Sequence, residues 1–342
     1  MKEPAPGERN GSKKHLKQDN SSGYAALGDG AAIVEKETGR LLVRGADRRS
    51  YLQGLLTNDI AALVPGTGCY AAMLTAQGRM MTDMRVLELG DAILLDLPRE
   101  TTQRVQEHLE QFVFAEDVQV EDATDARAEV GVYGPGALDL LSAIPVEGGL
   151  PAALYASTRI RVAGVDAIAI ASDDNGVAGY DLLVDAADGD VVRAALQRAG
   201  AMVASADDVE TVRIERGRPR FGVDMDADTI PLEAGLEDRA ISRSKGCYVG
   251  QEVIVRVQDR GHGRVARRLV GLTFDATAAV PSRGTPVHAG DREIGRVTSA
   301  AWSPSLARPI ALGYVHRDFV EPGTHVRVEG AEAVVSALPL VP

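Results

Sequence analysis

The chain has 342 residues, enough for two or three domains with cores of their own. Its composition is ordinary for a globular protein, at 45% hydrophobic and 25% charged residues, but its formal net charge of −12 argues against direct nucleic-acid binding, which depends on neutralising phosphate. Two cysteines, Cys69 and Cys247, cannot form a disulfide framework, and no run of eighteen apolar residues offers a membrane span, so a cytoplasmic protein is expected.

Residues 1–23 are rich in Gly, Ser, Pro and charge and lack the apolar segment of a secretory signal, which predicts a disordered tail. Two short apolar runs around Thr38-Gly39 read as a hairpin. Asp47 then opens a helix whose Tyr51, Leu52, Leu55 and Leu56 share one face. Residues 68–98 read as three strands, turned at Gln77-Gly78 and Leu89-Gly90-Asp91, and residues 99–114 as an amphipathic helix. Further strands and helices alternate up to about residue 200. The many short-turn strand pairs predict an α+β fold with antiparallel sheets, and no GxGxxG opens a helix after a strand. From Arg267 onward, short β runs punctuated by Gly and Pro predict a separate all-β barrel or sandwich, giving a division into 24–266 and 267–342.

Three constellations carry candidate chemistry. In "SRSKGCYVGQEVIVRV" (242–257), Lys245 is the one lysine after position 36 in a chain that otherwise uses arginine. Gly246 and Gly250 bracket Cys247, and the alternation of Val253, Val255 and Val257 predicts a buried strand after Gln251-Glu252. A cation beside a thiol favours the reactive thiolate. A buried structural cysteine on a glycine turn is the plain alternative. In "VRIERGRPRFGVDMD", Val212 and Ile214 can face a core while Arg213 and Glu215 face elsewhere, and Gly217, Pro219 and Gly222 predict an irregular loop. In "GRMMTD", Asp83 stands on a predicted strand among Met80, Met81 and Met84, so it lies either at a solvated surface or in a site. Nothing has zinc-ligand spacing, and one candidate thiolate cannot by itself hold an iron–sulfur cluster. The basic "RGHGRVARR" at 260–268 reads as a solvated hairpin.

"KGCYVGQE" (245–252) resembles the signature of the YgfZ-type folate-binding proteins, relatives of the glycine cleavage T protein (aminomethyltransferase). "YLQGLLTNDIAAL", "GCYAAMLTAQGRMMTDMRV", "VRIERGRPRFGVDMD", "IPLEAGL" and "GRVTSAAWSPSLARPIALGYV" resemble family blocks in family order, so the resemblance covers nearly everything after the tail. It implies three domains around a central folate channel ending in a β-barrel. Tetrahydrofolate or a derivative is the implied ligand, with Glu215 and Arg213 on the pterin side and Asp83 and Tyr70 lining the same pocket. Asp83 is the implied catalytic carboxylate. Cys247 is the implied functional thiol, in a motif with Lys245, Gly246, Tyr248, Gly250, Gln251 and Glu252. The implied function is support of iron–sulfur cluster assembly or repair, and indirectly of tRNA modification, with iron–sulfur proteins or assembly factors as partners. The alternatives are an aminomethyltransferase of glycine cleavage and a non-catalytic RNA-binding or scaffold protein.

Overall fold

The computed structural model describes residues 22–260 and 264–342. The expected tail lies outside these residues up to position 21, and so does the middle of the basic 260–268 stretch. Ser22–Asp29 is a helix, however, so the tail reading runs two residues too far. Gly23 sits so close to Ala204 that a Cβ would fall 2.7 Å from its Cα, and Tyr24 is buried.

Two sheets and a barrel form the molecule, as an α+β chain of mostly antiparallel pairs should. The first sheet runs Met202–Val203, Ala32–Glu35, Arg127–Tyr133, Gly179–Asp185, Val165–Ser172, Ser157–Val162, Val146–Glu147. The second runs Gly68–Leu74, Met80–Glu88, Ile93–Pro98, Thr38–Arg44, Gln119–Asp122. Six strands from Arg267–Phe274 to Ala331–Ser336 close into a barrel around Leu272, Phe274, Val287, Val297 and Val335.

The expected hairpin at Thr38-Gly39 does not form. Ala32–Glu35 pairs with Arg127–Tyr133 in the first sheet, while Thr38–Arg44 pairs with Ile93–Pro98 in the second. The chain therefore crosses between sheets at Lys36-Glu37. A buried ionic cluster pins the crossing. Lys36 Nζ lies 2.8 Å from both Asp174 and Asp181 and 3.4 Å from Glu129. Arg40 meets Glu129 at 2.9 Å, and Arg85 reaches Asp96, Asp181 and, at 2.6 Å, Glu129. Burial opposes ionisation of Glu129, but Arg85, Lys36 and Arg40 outweigh it and hold the carboxyl well below its usual range. Burial equally opposes the Arg85 charge, and Asp174 and Asp96 outweigh that in turn.

Replacing Arg85 by Met takes a cation from four carboxylates, Asp96, Glu129, Asp174 and Asp181. A loss of about 3–5 kcal/mol is expected, because breaking a buried pair strands the partner charge. Thermal and urea melting of Arg85→Met check this, and a variant as stable as the parent would show the cluster to be dispensable.

Candidate functional site

The second sheet builds the site by simple alternation. Register sets Tyr70 opposite Arg85, Ala72 opposite Asp83, and Arg85 opposite Asp96. Tyr70, Asp83, Arg85 and Asp96 therefore share one face, and Ala71, Met73, Met84 and Val86 face the core on the other. The methionine neighbours that made Asp83 look misplaced are largely on the opposite side of its strand.

On the polar face lies a cavity of about 460 Å³, lined by Tyr70, Asp83, Arg85, Asp96, Asp174, Arg213 and Arg239, among others. The Tyr70 hydroxyl donates to Asp83 Oδ2 at 2.5 Å. The Arg239 guanidinium lies 4.8 Å over the Tyr70 ring, and Tyr155 stacks beside it at 6.4 Å between centroids. Burial pushes Asp83 up to about 6, against the Tyr70 hydrogen bond, which holds it down. A carboxyl group titrating there can both take and return a proton near neutrality.

Arg213 and Glu215 sit on a helix, Ala206–Glu215, and the expected irregular loop at Gly217, Pro219 and Gly222 follows it. Ser205 and Asp208 close its first turn as a reciprocal capping box, a start signal present in the sequence and overlooked. All of Val212, Arg213, Ile214 and Glu215 are buried, so the expected inside–outside alternation fails. Arg213 lines the cavity, but its donors are taken by Glu210, Asp224 and Ser299 at 2.6–2.9 Å and by the Arg218 carbonyl. Glu215 does not line it. Its carboxylate accepts from Tyr24 Oη at 2.8 and 2.9 Å and from Ser303 Oγ, and its carbonyl accepts from Leu340 N and Val341 N. Glu215 thus ties the first helix, the barrel and the C-terminal segment together, apart from Tyr70 and Asp83.

The octapeptide is also rearranged. Gln251–Val255 is a helix and not a strand, continued by a wider turn over Arg256–Arg260. Gly250 precedes it with φ +83°, a conformation that favours glycine, and a Cβ there would fall 2.4 Å from the Thr75 carbonyl oxygen in the Gln77-Gly78 hairpin. Ile254 and Tyr248 enter the core against Leu74 and Met80, whereas Val255 is exposed. The β-branched residues have strand propensity, but burial of Ile254 in the helical register overrides it. The Gln251 side chain accepts from Tyr248 N at 3.2 Å, and Glu252 is exposed.

Lys245 does not serve Cys247. Its ammonium donates to the carbonyls of Gln53, Leu56 and Asn58 at 2.6, 2.5 and 3.0 Å, at the C-terminal end of the Arg48–Leu55 helix. A helix end leaves such carbonyls unpaired, and its dipole favours a cation. The thiol that feels this charge is Cys69, and burial still pushes that thiol up to about 12. Cys247 is exposed, and Gly246 beside it meets open space; neither lines the Asp83 cavity. Arg239, Asp96 and Asp174 were missed by the sequence reading. Asp96 stands in an apolar run, "AILLDLP", the same signal that singled out Asp83.

An antiparallel α+β body whose sheets enclose a polar cavity beside a closed six-stranded barrel is the T-protein architecture. The GCVT N-terminal domain matches residues 20–245, and the glycine cleavage T-protein C-terminal barrel domain matches residues 267–341. The chain belongs to the glycine cleavage T-protein family. It is 32% identical over 294 residues to an aminomethyltransferase of Streptomyces avermitilis, covering 84% of this chain and 78% of that one. It is 33% identical over 310 residues to a probable aminomethyltransferase of Natronomonas pharaonis, covering 88% and 84%. The crystal structure of the glycine cleavage system aminomethyltransferase T from Bartonella henselae has the same fold, with a TM-score of 0.81 at 22% identity over 93% of this chain and 88% of that one. These matches place the chain in the wider family and do not single out the YgfZ-type branch.

Two outcomes test this geometry. Folded Asp83 binds its proton more tightly than the unfolded chain, whose ordinary value is 3.8. Its contribution to stability is therefore fully present below about pH 4 and lost as pH rises through about 6. Melting temperature against pH should fall less steeply over that window in Asp83→Asn, and in Tyr70→Phe the window should move upward. Identical slopes in parent and Asp83→Asn would count against a raised pKa. Lys245→Met should cost about 1–3 kcal/mol by leaving buried carbonyls unpaired, while the alkylation rate of Cys247 at neutral pH stays as it was. A slowed Cys247 reaction would restore the thiol-activating role.

Proposed function

We propose that the chain binds a reduced folate in the Tyr70–Asp83–Arg239 cavity and catalyses transfer of a one-carbon unit of the aminomethyl kind to it. The observation that carries this is the Asp83 carboxyl, buried at the cavity wall, hydrogen-bonded to Tyr70 and raised to about 6. The family uses tetrahydrofolate as substrate or cofactor. In this reading two nitrogens of the folate each form a bond to the one-carbon unit while its bonds to the amine and to the carrier sulfur break; Asp83 takes the proton from one attacking nitrogen and returns it to the departing amine, and the proton of the other goes to the released thiolate. Tyr70 fixes the carboxylate, and Arg239, held at 2.9 Å from Tyr155 Oη, keeps the Tyr70 ring in place. The pterin acceptor role that the resemblance gave to Glu215 passes to the carboxylates that line the cavity, Asp96 and Asp174 among them. Among the described residues no helix is long and apolar enough to cross a membrane, and a cytoplasmic site of action remains part of the proposal.

The names of the relatives favour aminomethyl transfer over iron–sulfur assembly. One observation favours the second reading: Cys247 of the complete octapeptide is exposed and outside the transfer cavity, where a partner protein could reach it. The experiment is formation of methylenetetrahydrofolate from an aminomethylated lipoyl carrier protein. The parent should turn over, Asp83→Asn should lose about 10²-fold or more, and Cys247→Ala should keep its rate. Tight folate binding without turnover, together with loss of cluster-enzyme activities in Cys247→Ala cells, would replace the transferase reading by the iron–sulfur one.

A further inference from the structure

A cavity of about 540 Å³ opens between the Gln251–Val255 helix, the Glu237–Ala240 helical turn and Arg268 at the start of the barrel. It shares no lining residue with the Asp83 cavity, and its size is that of a ligand site. Three residues of the octapeptide, Lys245, Tyr248 and Gln251, line it.

Its polar lining is not used up by the fold. Tyr248 is 9% exposed and its ring packs in the core, yet its hydroxyl has no hydrogen-bond partner among the described residues. Burial pushes that hydroxyl up to about 12, so it stays a donor throughout the neutral range. Gln251 turns its side-chain oxygen to Tyr248 N, which leaves its amide N–H group without a partner. Glu237 accepts from Arg268 through Oε1 at 2.5 Å, while its Oε2 is buried with no partner. Polar atoms left unpaired in a buried setting are costly, and a ligand that pairs them relieves that cost.

These atoms define the ligand. The two donors call for carbonyl oxygens and the carboxylate oxygen calls for an N–H, an alternation that a peptide backbone supplies. Leu232, Ile241 and Val255 give an apolar wall for one side chain, and Val255 is 46% exposed. The surroundings are basic. Residues 241–268 carry seven Lys and Arg against two acids, in a chain of net charge −12. Arg256 and Arg264 are exposed with no ion pair among the described residues, and Arg243 meets only Asp238, at 2.9 Å in an exposed pair. RNA would suit these outer cations, but its phosphates would meet the unpaired Glu237 oxygen. An acidic peptide satisfies both, with its carboxylates outside and its amide groups within.

We propose that this cavity binds an extended acidic peptide segment of a partner protein, with main-chain groups on Tyr248, Gln251 and Glu237, an apolar side chain against Val255, and flanking carboxylates toward Arg243 and Arg256. The inference goes beyond the transfer reading and does not depend on folate. Cys247 stands between the lining residues Lys245 and Tyr248, so the docked protein lies beside the exposed thiol.

The test is selection of a displayed random heptapeptide library on the immobilised full chain, followed by fluorescence anisotropy of the selected peptides. These should combine Asp or Glu with Leu, Ile or Val, and bind more weakly at high ionic strength. Tyr248→Phe, which removes the unpaired hydroxyl and keeps the ring, should weaken binding about threefold to tenfold. Val255→Glu, at an exposed position, should weaken it about tenfold or more by setting like charges together. Should either variant fail to fold, the other decides. Asp83→Asn should bind the peptides as the parent does. The absence of a consensus, a basic consensus, or equal binding by parent, Tyr248→Phe and Val255→Glu overturns the inference. Loss of binding in Asp83→Asn would put the peptides in the transfer cavity and overturn it as well. A twenty-nucleotide oligouridylate that displaces the peptides and itself weakens in Tyr248→Phe would assign the cavity to RNA instead.

Discussion

The buried ionic cluster between the two sheets is the constraint on which the site depends. Lys36, Arg40 and Arg85 meet Asp96, Glu129, Asp174 and Asp181 in a region where desolvation would make any one of these charges expensive alone. Such clusters add little net stability compared with apolar packing, but each member restricts where its neighbours can be. Here the restriction is topological. Two strands that follow one another in sequence enter different sheets, and the cluster occupies the seam they leave. Arg85, Asp96 and Asp174 also line the Asp83 cavity, so the seam and the ligand wall share the same residues. A ligand lying on that wall must present polar edges to it, which fits a pterin better than an apolar ring.

Two adjacent aspartates show how the cavities are divided. Asp174 turns to Lys36 and Arg85 on the side of Asp83. Asp173 turns to Arg218 and Arg239 on the side of a cavity lined by these two and by Arg216 and Arg268. They sit in the connection between Val165–Ser172 and Gly179–Asp185, so one turn of the first sheet supplies an anion to each compartment. Arg239 joins the two, since it pairs with Asp173 while its guanidinium covers Tyr70.

The fold class and the barrel could be read from the sequence because both rest on local periodicity and turn residues. Asp83 could be singled out because a carboxylate on an apolar strand is a conflict that only a solvated surface or a site resolves, whereas Tyr70 was named by the resemblance alone. The misses are of one physical kind, in which a tertiary contact overrides a local pattern. Val253, Val255 and Val257 alternate like a strand, but Gly250 is locked against the Gln77-Gly78 hairpin and Ile254 fills a core position from a helix. The runs around Thr38-Gly39 look like a hairpin, but charge pairing draws Lys36 into the seam. Glu215 matched a pterin-binding position by its segment, yet its partners Tyr24 and Ser303 lie 191 and 88 residues away in the chain, which no local window contains. The arginine-lined cavity escaped because its four cations come from stretches that are unremarkable one at a time.

Lys245 shows why a residue's rarity and its role need separate arguments. In a chain that otherwise uses arginine after position 36, one retained lysine pointed to chemistry at the neighbouring thiol. The structure gives it three carbonyl acceptors that converge on one point from Gln53, Leu56 and Asn58. A compact ammonium has three donors on one atom and satisfies such a set, whereas a guanidinium spreads its donors in a planar fork suited to carboxylates. The geometry of the acceptors therefore selects lysine without reference to Cys247. Within the octapeptide, Lys245, Tyr248, Gly250 and Gln251 all have structural partners, and together they hold Cys247 on an exposed turn. Gly246, with neither a positive φ nor a close neighbour, is the one glycine of the motif that the fold does not require. What is left unexplained by packing is confined to Gly246, Cys247 and Glu252, which are all exposed.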